Sequence, residues 1–185
     1  MRRILFLAAL TVYFVGCIYG QTGQQLYESG LNHFKLADDE DYHDQEGLKK
    51  AITYFEKSII KGYKNYDIFE KLALIYILLD NDQKNAERIY TIGLANFPND
   101  IEFYFRRGQC REVLKQFRES LADFDKTITL DTLFKYIYIS RAFYERGAMK
   151  FLLGDNAGAE NDWKNAQRIT DYELRTYTDY CRKFK

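Results

Sequence analysis

Residues 145–169, ERGAMKFLLGDNAGAENDWKNAQRI, place small side chains at Gly147, Ala159 and Ala166 and one very large one, Trp163, between the last two. A helix that needs only an apolar face can use leucine or valine at most inward positions. Small residues held in register instead predict a second helix lying too close for side chains. The same intervals recur upstream at Gly108, Ser120, Phe124 and Thr127. Earlier still, Ala73, Ala86, Tyr90, Gly93 and Pro98 follow them with one extra residue in the first gap, and Ala51, Phe55 and Ser58 close a looser first copy. The spacing therefore encodes a repeated helix crossing. A branched side chain at Gly147 should overpack it by roughly 1–3 kcal/mol, and Trp163→Ala should leave a cavity worth about 3–5 kcal/mol.

The composition agrees. At 185 residues and 46% hydrophobic content the chain has the length for one domain with a sizeable core. A single proline, Pro98, and 11 glycines leave little material for the turns of an all-β protein. The 27 basic residues balance 27 acidic ones, and a leader carrying Arg2 and Arg3 but no acid would leave 25 against 27. Nucleic-acid binding, which draws on a basic surplus, is not expected.

The four copies resemble the tetratricopeptide repeat, a helix–turn–helix unit of about 34 residues with aromatic, Leu-Gly, Tyr, Ala, aromatic and Pro at set places. The second copy offers Phe69, Leu72, Ala73, Tyr76, Ala86, Tyr90 and Pro98; the third Tyr104, Gly108, Ser120, Phe124 and Thr132; the fourth Phe143, Gly147, Ala159, Trp163 and Ala166. The resemblance implies an all-α fold, an α-solenoid: a right-handed superhelix of about four helix pairs, at 24–62, 66–99, 100–133 and 135–169, within a domain over 21–185. It departs from the pattern at LADDEDYHDQEG, residues 36–47, inserted between the helices of the first copy, and at the fourth copy, which starts late and predicts a first helix extended toward Phe134. TDYELRTYTDYCRKFK predicts a capping helix over 170–184, started by Thr170 or Asp171, with Tyr172, Leu174, Tyr177 and Tyr180 on its apolar side to cover the last repeat.

Residues 1–20 have the layout of a secretory signal peptide: Arg2-Arg3, an apolar run from Ile4 to Val15, then small residues. Export is the expectation, into the periplasm or envelope of a bacterium; a short membrane anchor or a buried first helix is the alternative. Phe14-Val15-Gly16-Cys17 resembles a lipobox, which would make Cys17 a lipidation site and the chain an outer-membrane lipoprotein, whereas cleavage after Gly20 would remove it. Cys110 and Cys181, about seventy residues apart, are read as two separate thiols rather than a disulfide.

No catalytic arrangement is legible: the two histidines, His33 and His43, form no HExxH pair, and neither a phosphate loop nor a GxSxG elbow is present. The chain is expected not to be an enzyme and to need no cofactor or metal. His33 is read as a packing residue between helices. The acidic run Asp38, Asp39, Glu40, Asp41, with Asp44 and Glu46, and the stretch DNDQKN from Asp80 lack the alternation of a calcium loop and read as solvated turns.

What the resemblance leaves for function is the face lined by the first helices of the pairs. Its usual positions fall on Asp67, Glu70, Leu74 and Ile77; on Glu102, Phe105, Arg106, Gln109 and Glu112; and on Arg141, Tyr144, Glu145, Ala148 and Phe151. Glu70 and Leu74 occupy places where carboxylate-clamping members carry Lys and Asn, so an acidic C-terminal tail is not the expected ligand. Phe105, Tyr144 and Phe151 suggest apolar anchors, with Arg106 and Arg141 to pair carboxylates and Gln109 among them. The expected role is binding another protein or peptide in this groove, with contact to a membrane only through a lipid at Cys17. The alternative is a lipid-anchored structural component of an envelope complex, docking through its other face or its ends.

Overall fold

In the computed structural model of the chain, the described residues are 20–39, 44–133, 135–169 and 181–184. Among them every regular element is helical: α1 (Gly23–Asp39), α2 (Gln45–Ile60), α3 (Tyr66–Asp80), α4 (Gln83–Asn96), α5 (Ile101–Val113), α6 (Phe117–Leu130), α7 (Ile139–Leu152), α8 (Asn156–Ile169) and a closing 3-10 turn, Arg182–Phe184. An Asx side chain starts most of them by accepting one of the backbone N–H groups that a helix leaves unsatisfied. Asp44 accepts from Gly47 at 2.8 Å, Asn65 from Ile68 at 3.1 Å, Asp82 from Asn85 at 3.0 Å, Asp100 from Phe103 at 2.7 Å and Asp155 from Gly158 at 2.9 Å. Between the helices of a pair the chain turns through the left-handed region, at Lys115 (φ 59°) and at Gly154 (φ 92°), where only the glycine is free of strain.

The chain divides into two compact units, one ending at Ile68 and one beginning at Phe69. In the first, α1 and α2 run antiparallel around Phe55, Leu48 and Ala51, all buried. A Cβ on Gly30 would lie 2.6 Å from the Phe55 ring, and the Ser58 hydroxyl donates to the Gly23 carbonyl at 2.6 Å. Gly30 therefore takes in the first copy the place that Gly108 takes in the third, which the insertion hid. That insertion lengthens α1 to Asp39, while the acidic residues Glu40 and Asp41, with His43, lie outside the described residues. His33 stacks on Tyr54, 5.4 Å between ring centres, as a packing residue would.

The second unit repeats the crossing. A Cβ on Gly108 would lie 2.8 Å from Phe124, and the Ser120 hydroxyl donates to the Gly108 carbonyl at 2.8 Å across the α5–α6 contact. At Gly147 a Cβ would meet backbone, the Ala159 carbonyl oxygen at 3.1 Å, as the opening stretch predicts. A polar lock that the small-residue pattern did not reveal accompanies the α5–α6 and α7–α8 crossings. Arg107 grips the buried Asp123 with two nitrogens, at 2.9 and 2.7 Å, and Arg111 adds a third bond at 2.8 Å while reaching Glu87 of α4. One repeat later Arg146 grips Asp162 at 2.8 and 2.5 Å, Lys150 joins at 2.8 Å, and Arg146 reaches Asp125 of α6.

One expectation fails. α7 does not extend toward Phe134, which lies outside the described residues; it begins at Ile139. The Asp131 carboxylate caps the preceding loop instead, accepting from the Lys135 and Tyr136 amides at 2.9 and 2.5 Å, and so holds the backbone out of helix. Tyr136 and Tyr138 then pack against Phe105.

Candidate functional site

In the second unit, one face of α3 and one face of α5 leave a pocket of about 370 Å³ between them. The spacing puts Glu70, Leu74 and Ile77 on a single helical stripe, and likewise Glu102, Arg106, Gln109 and Val113. Its floor is apolar: Phe103, Cys110 and Tyr90 are buried. On the rim, Leu74 is 36% and Val113 51% exposed, more apolar surface than a helix facing only water needs. Arg106 is held over this wall by Glu102 at 3.3 Å and lies over the Tyr138 ring, 5.2 Å from its centre. Burial pushes the Cys110 thiol up to about 12, with the Glu87 carboxylate adding to the effect, so it stays protonated and unreactive.

The corresponding face between α5 and α7 is built differently. Glu145 is 1% exposed; its Oε1 accepts from Arg141 at 2.6 Å and from Gln109 at 3.1 Å, while its Oε2 is buried without a hydrogen-bond partner among the described residues. Burial, reinforced by the Glu112 carboxylate, pushes the Glu145 carboxyl up to about 7. Glu112 is itself buried and lies 2.8 Å from the Lys183 ammonium. The last described residues of the chain lie on this face: the Cys181 thiol points at the Ala148 carbonyl, 3.6 Å away, and Phe184 meets Phe117 edge-on at 5.5 Å.

Comparison with known proteins places this architecture. No protein-family model matches the chain. Over 154 residues, 74% of this chain, it is 25% identical to the human DnaJ homolog subfamily C member 7, and it spans about a quarter (27%) of that relative's length. Among solved structures, a tetratricopeptide repeat protein from Parabacteroides merdae superposes with a TM-score of 0.66 at 18% identity, covering 86% of this chain and 61% of that one. YrrB, described as a TPR protein with an unusual peptide-binding site, superposes with a TM-score of 0.59 at 24% identity, covering 77% and 69%. The fold is that of the tetratricopeptide-repeat proteins.

Within that repeat frame the residues expected to line the groove separate into three groups. Glu70, Leu74, Ile77, Glu102, Arg106 and Gln109 do line the α3–α5 pocket. Phe105 and Tyr144 lie beneath the surface rather than on the pocket: Phe105 is 0% exposed and enclosed by Phe124, Tyr136 and Tyr138, and Tyr144 is buried with Ile139 and Phe143. The physical reason is the irregular loop before α7, whose two tyrosines roof over Phe105. Phe151 is half-buried against the cluster that holds Ala148 and Cys181. Arg141 is tied to Glu145, and Asp67 accepts a 2.6 Å bond from Tyr27 in the first unit. Gln83, Tyr90, Phe103, Cys110 and Val113 are the pocket residues that the spacing did not point to. Val113 follows Gln109 by four, so the helical stripe would have reached it; the floor residues belong to the core pattern and carried no separate signal. Cys110 and Cys181 are both free and buried, as two separate thiols. Cys17 and residues 1–19 of the leader lie outside the described residues, as do residues 170–180 of the expected 170–184 cap.

Proposed function

We propose that the chain is a non-catalytic interaction module that binds a peptide or helix of another protein in the α3–α5 pocket, acting in the cell envelope after export of the 21–185 domain. The observation that carries this reading is the pocket itself: apolar floor, exposed Leu74 and Val113 on opposite walls, and a charged rim of Glu70, Glu102 and Arg106. Such a site seats one or two apolar anchors with little ordering of the receptor, because both walls are preformed helices. Rim charges of both signs then fix the direction in which a peptide lies. The likeness to YrrB supports a peptide as ligand, and the leader supports the location.

The test is capture by the tagged domain from an extract of its native cells, comparing the natural chain with Leu74→Glu. A carboxylate placed against Phe103 and Tyr90 should lower capture of the dominant partner by about tenfold or more, the scale of one lost anchor of about 1.4 kcal/mol. Helicity should not change, since Leu74 is on the surface. Equal capture by the two chains would refute the pocket as the site.

A further inference from the structure

We infer that the α5–α7 face is a second peptide site, specific for a basic–aromatic segment, and that the chain's own C-terminal residues occupy it as an intramolecular ligand. A capping helix should cover only the repeat it follows, here α7 and α8. Described residues 181–184 reach further. Cys181 sits on Ala148 of α7, but Lys183 is 2.8 Å from Glu112 of α5, Phe184 packs on Phe117 at the start of α6, and the Lys115 ammonium lies 3.5 Å from the Phe184 carbonyl. Glu112 and Ala148 are two of the positions that the repeat pattern assigns to ligand contact. The segment thus touches the third repeat through the side chains of a ligand, a cation and an aromatic ring, rather than through the small residues that carry helix crossings elsewhere in the chain.

The chemistry of the seat fits that segment. Two carboxylates, Glu112 and Glu145, are buried within mutual electrostatic influence, and one oxygen of Glu145 has no hydrogen-bond partner among the described residues. Buried negative charge of this kind calls for a cation brought to it. Lys183 brings one while remaining half exposed, so the pair forms at the mouth of the site and can exchange with water. Phe117 offers the aromatic seat beside it. A partner segment with lysine followed by an aromatic residue satisfies the same contacts and competes with the tail. The tail therefore acts as a plug, and the affinity of this face for an outside segment is reduced by the fraction of time the plug is in place.

The experiment uses a fluorescein-labelled peptide of residues 174–185 with Cys181 replaced by serine, titrated into the full 21–185 chain, into a chain ending at residue 180, and into full-length Lys183→Ala/Phe184→Ala. Anisotropy should report binding to the shortened chain and to the double variant about tenfold tighter or more than to the natural chain. Binding should weaken with added salt and fall again in Glu112→Gln. Leu74→Glu, which disables the α3–α5 pocket, should leave it unchanged, so failure here and failure of that pocket are told apart. If the shortened chain loses its helical circular dichroism, the double variant, which keeps the backbone, decides the question. Absence of peptide binding to a folded double variant, or affinity equal to that of the natural chain, would overturn the inference and leave the segment a structural cap.

Discussion

Replacing Asp162 by asparagine tests whether the buried polar lock holds the last helix pair together. Asp162 is 0% exposed and is gripped by Arg146 through two nitrogens and by Lys150 through one. Asparagine has nearly the same shape, so packing around Ala159 and Ala166 should survive. What is lost is the charge, and an amide N–H₂ now faces donors. Breaking a fully buried pair from one side costs about 3–5 kcal/mol. Arg146 and Lys150 are 14% and 20% exposed, and Arg146 keeps Asp125, so water and a second carboxylate recover part of this. The expected loss is about 2–4 kcal/mol, a large share of the roughly 5–15 kcal/mol that stabilises a domain. Urea unfolding followed by circular dichroism at 222 nm reads it directly: with a slope of about 2 kcal/mol per molar, the midpoint should fall by about 1–2 M. A double-mutant cycle with Arg146→Met should give a coupling above about 1 kcal/mol. A midpoint shift under about 0.3 M, or strict additivity in the cycle, would refute the claim that this ion pair fastens α7 to α8.

The remaining predictions follow from the same geometry. Glu145, with its folded carboxyl raised to about 7, binds a proton in the folded state that the unfolded chain has already released, so its contribution to stability is present below about pH 4.5 and is lost as pH rises through 7. Between those limits the second unit should lose about 2–3 kcal/mol that Glu145→Gln does not lose, and thermal melts of both chains from pH 4.5 to 8 should diverge accordingly; parallel curves would contradict it. Gly147→Val pushes a branched side chain against the Ala159 carbonyl, which as backbone cannot rotate away, and should cost about 2–3 kcal/mol by chemical denaturation, whereas a neutral result would remove the close-approach argument. Native Cys110 should label with a thiol reagent at pH 8 at least about a hundredfold more slowly than in the urea-unfolded chain, because its thiolate is scarce and its sulfur covered; rapid native labelling would show that the pocket floor opens.

Much of the fold was legible because backbone contact leaves a signature in residue size. Gly108, Gly147, Ala159 and Ser120 are small for reasons that survive any change of surface, and their intervals alone give the pairing of α5 with α6 and α7 with α8. Gly30 was hidden only by the insertion that lengthens α1. The lock was also present in the sequence, as Arg107–Asp123 and Arg146–Asp162 share an interval of sixteen, but charged residues are read as solvated by default, and nothing in their spacing says they are buried. The site was half legible. Helical stripes bring Glu70, Leu74 and Arg106 onto one pocket because α3 and α5 are regular. The burial of Phe105 and Tyr144 was not legible because the same stripe cannot report what lies above it: a loop capped by Asp131, with Tyr136 and Tyr138 turned inward, is set by side-chain hydrogen bonds that have no period.

Two sets of contacts compete for each first helix of a pair, and their division decides where a ligand can go. The side of α5 and α7 that carries Gly108 and Gly147 is consumed by the crossing, and the flank that carries Arg107, Arg111 and Arg146 is consumed by locks to the partner helix and to the preceding repeat. The stripe through Glu102, Arg106, Gln109 and Val113, and its counterpart on α7, is left by these contacts for something outside the fold. On α7 that counterpart runs through Arg141, Glu145 and Ala148, and there the chain has placed its own Cys181–Phe184 segment beside buried carboxylates. The open pocket and the filled face are therefore equivalent stripes on successive repeats, one open and one covered. A partner long enough to cross α5 would meet apolar walls first and the plug second, so its affinity should rise when the plug is removed, while a partner confined to the α3–α5 pocket would not register the change.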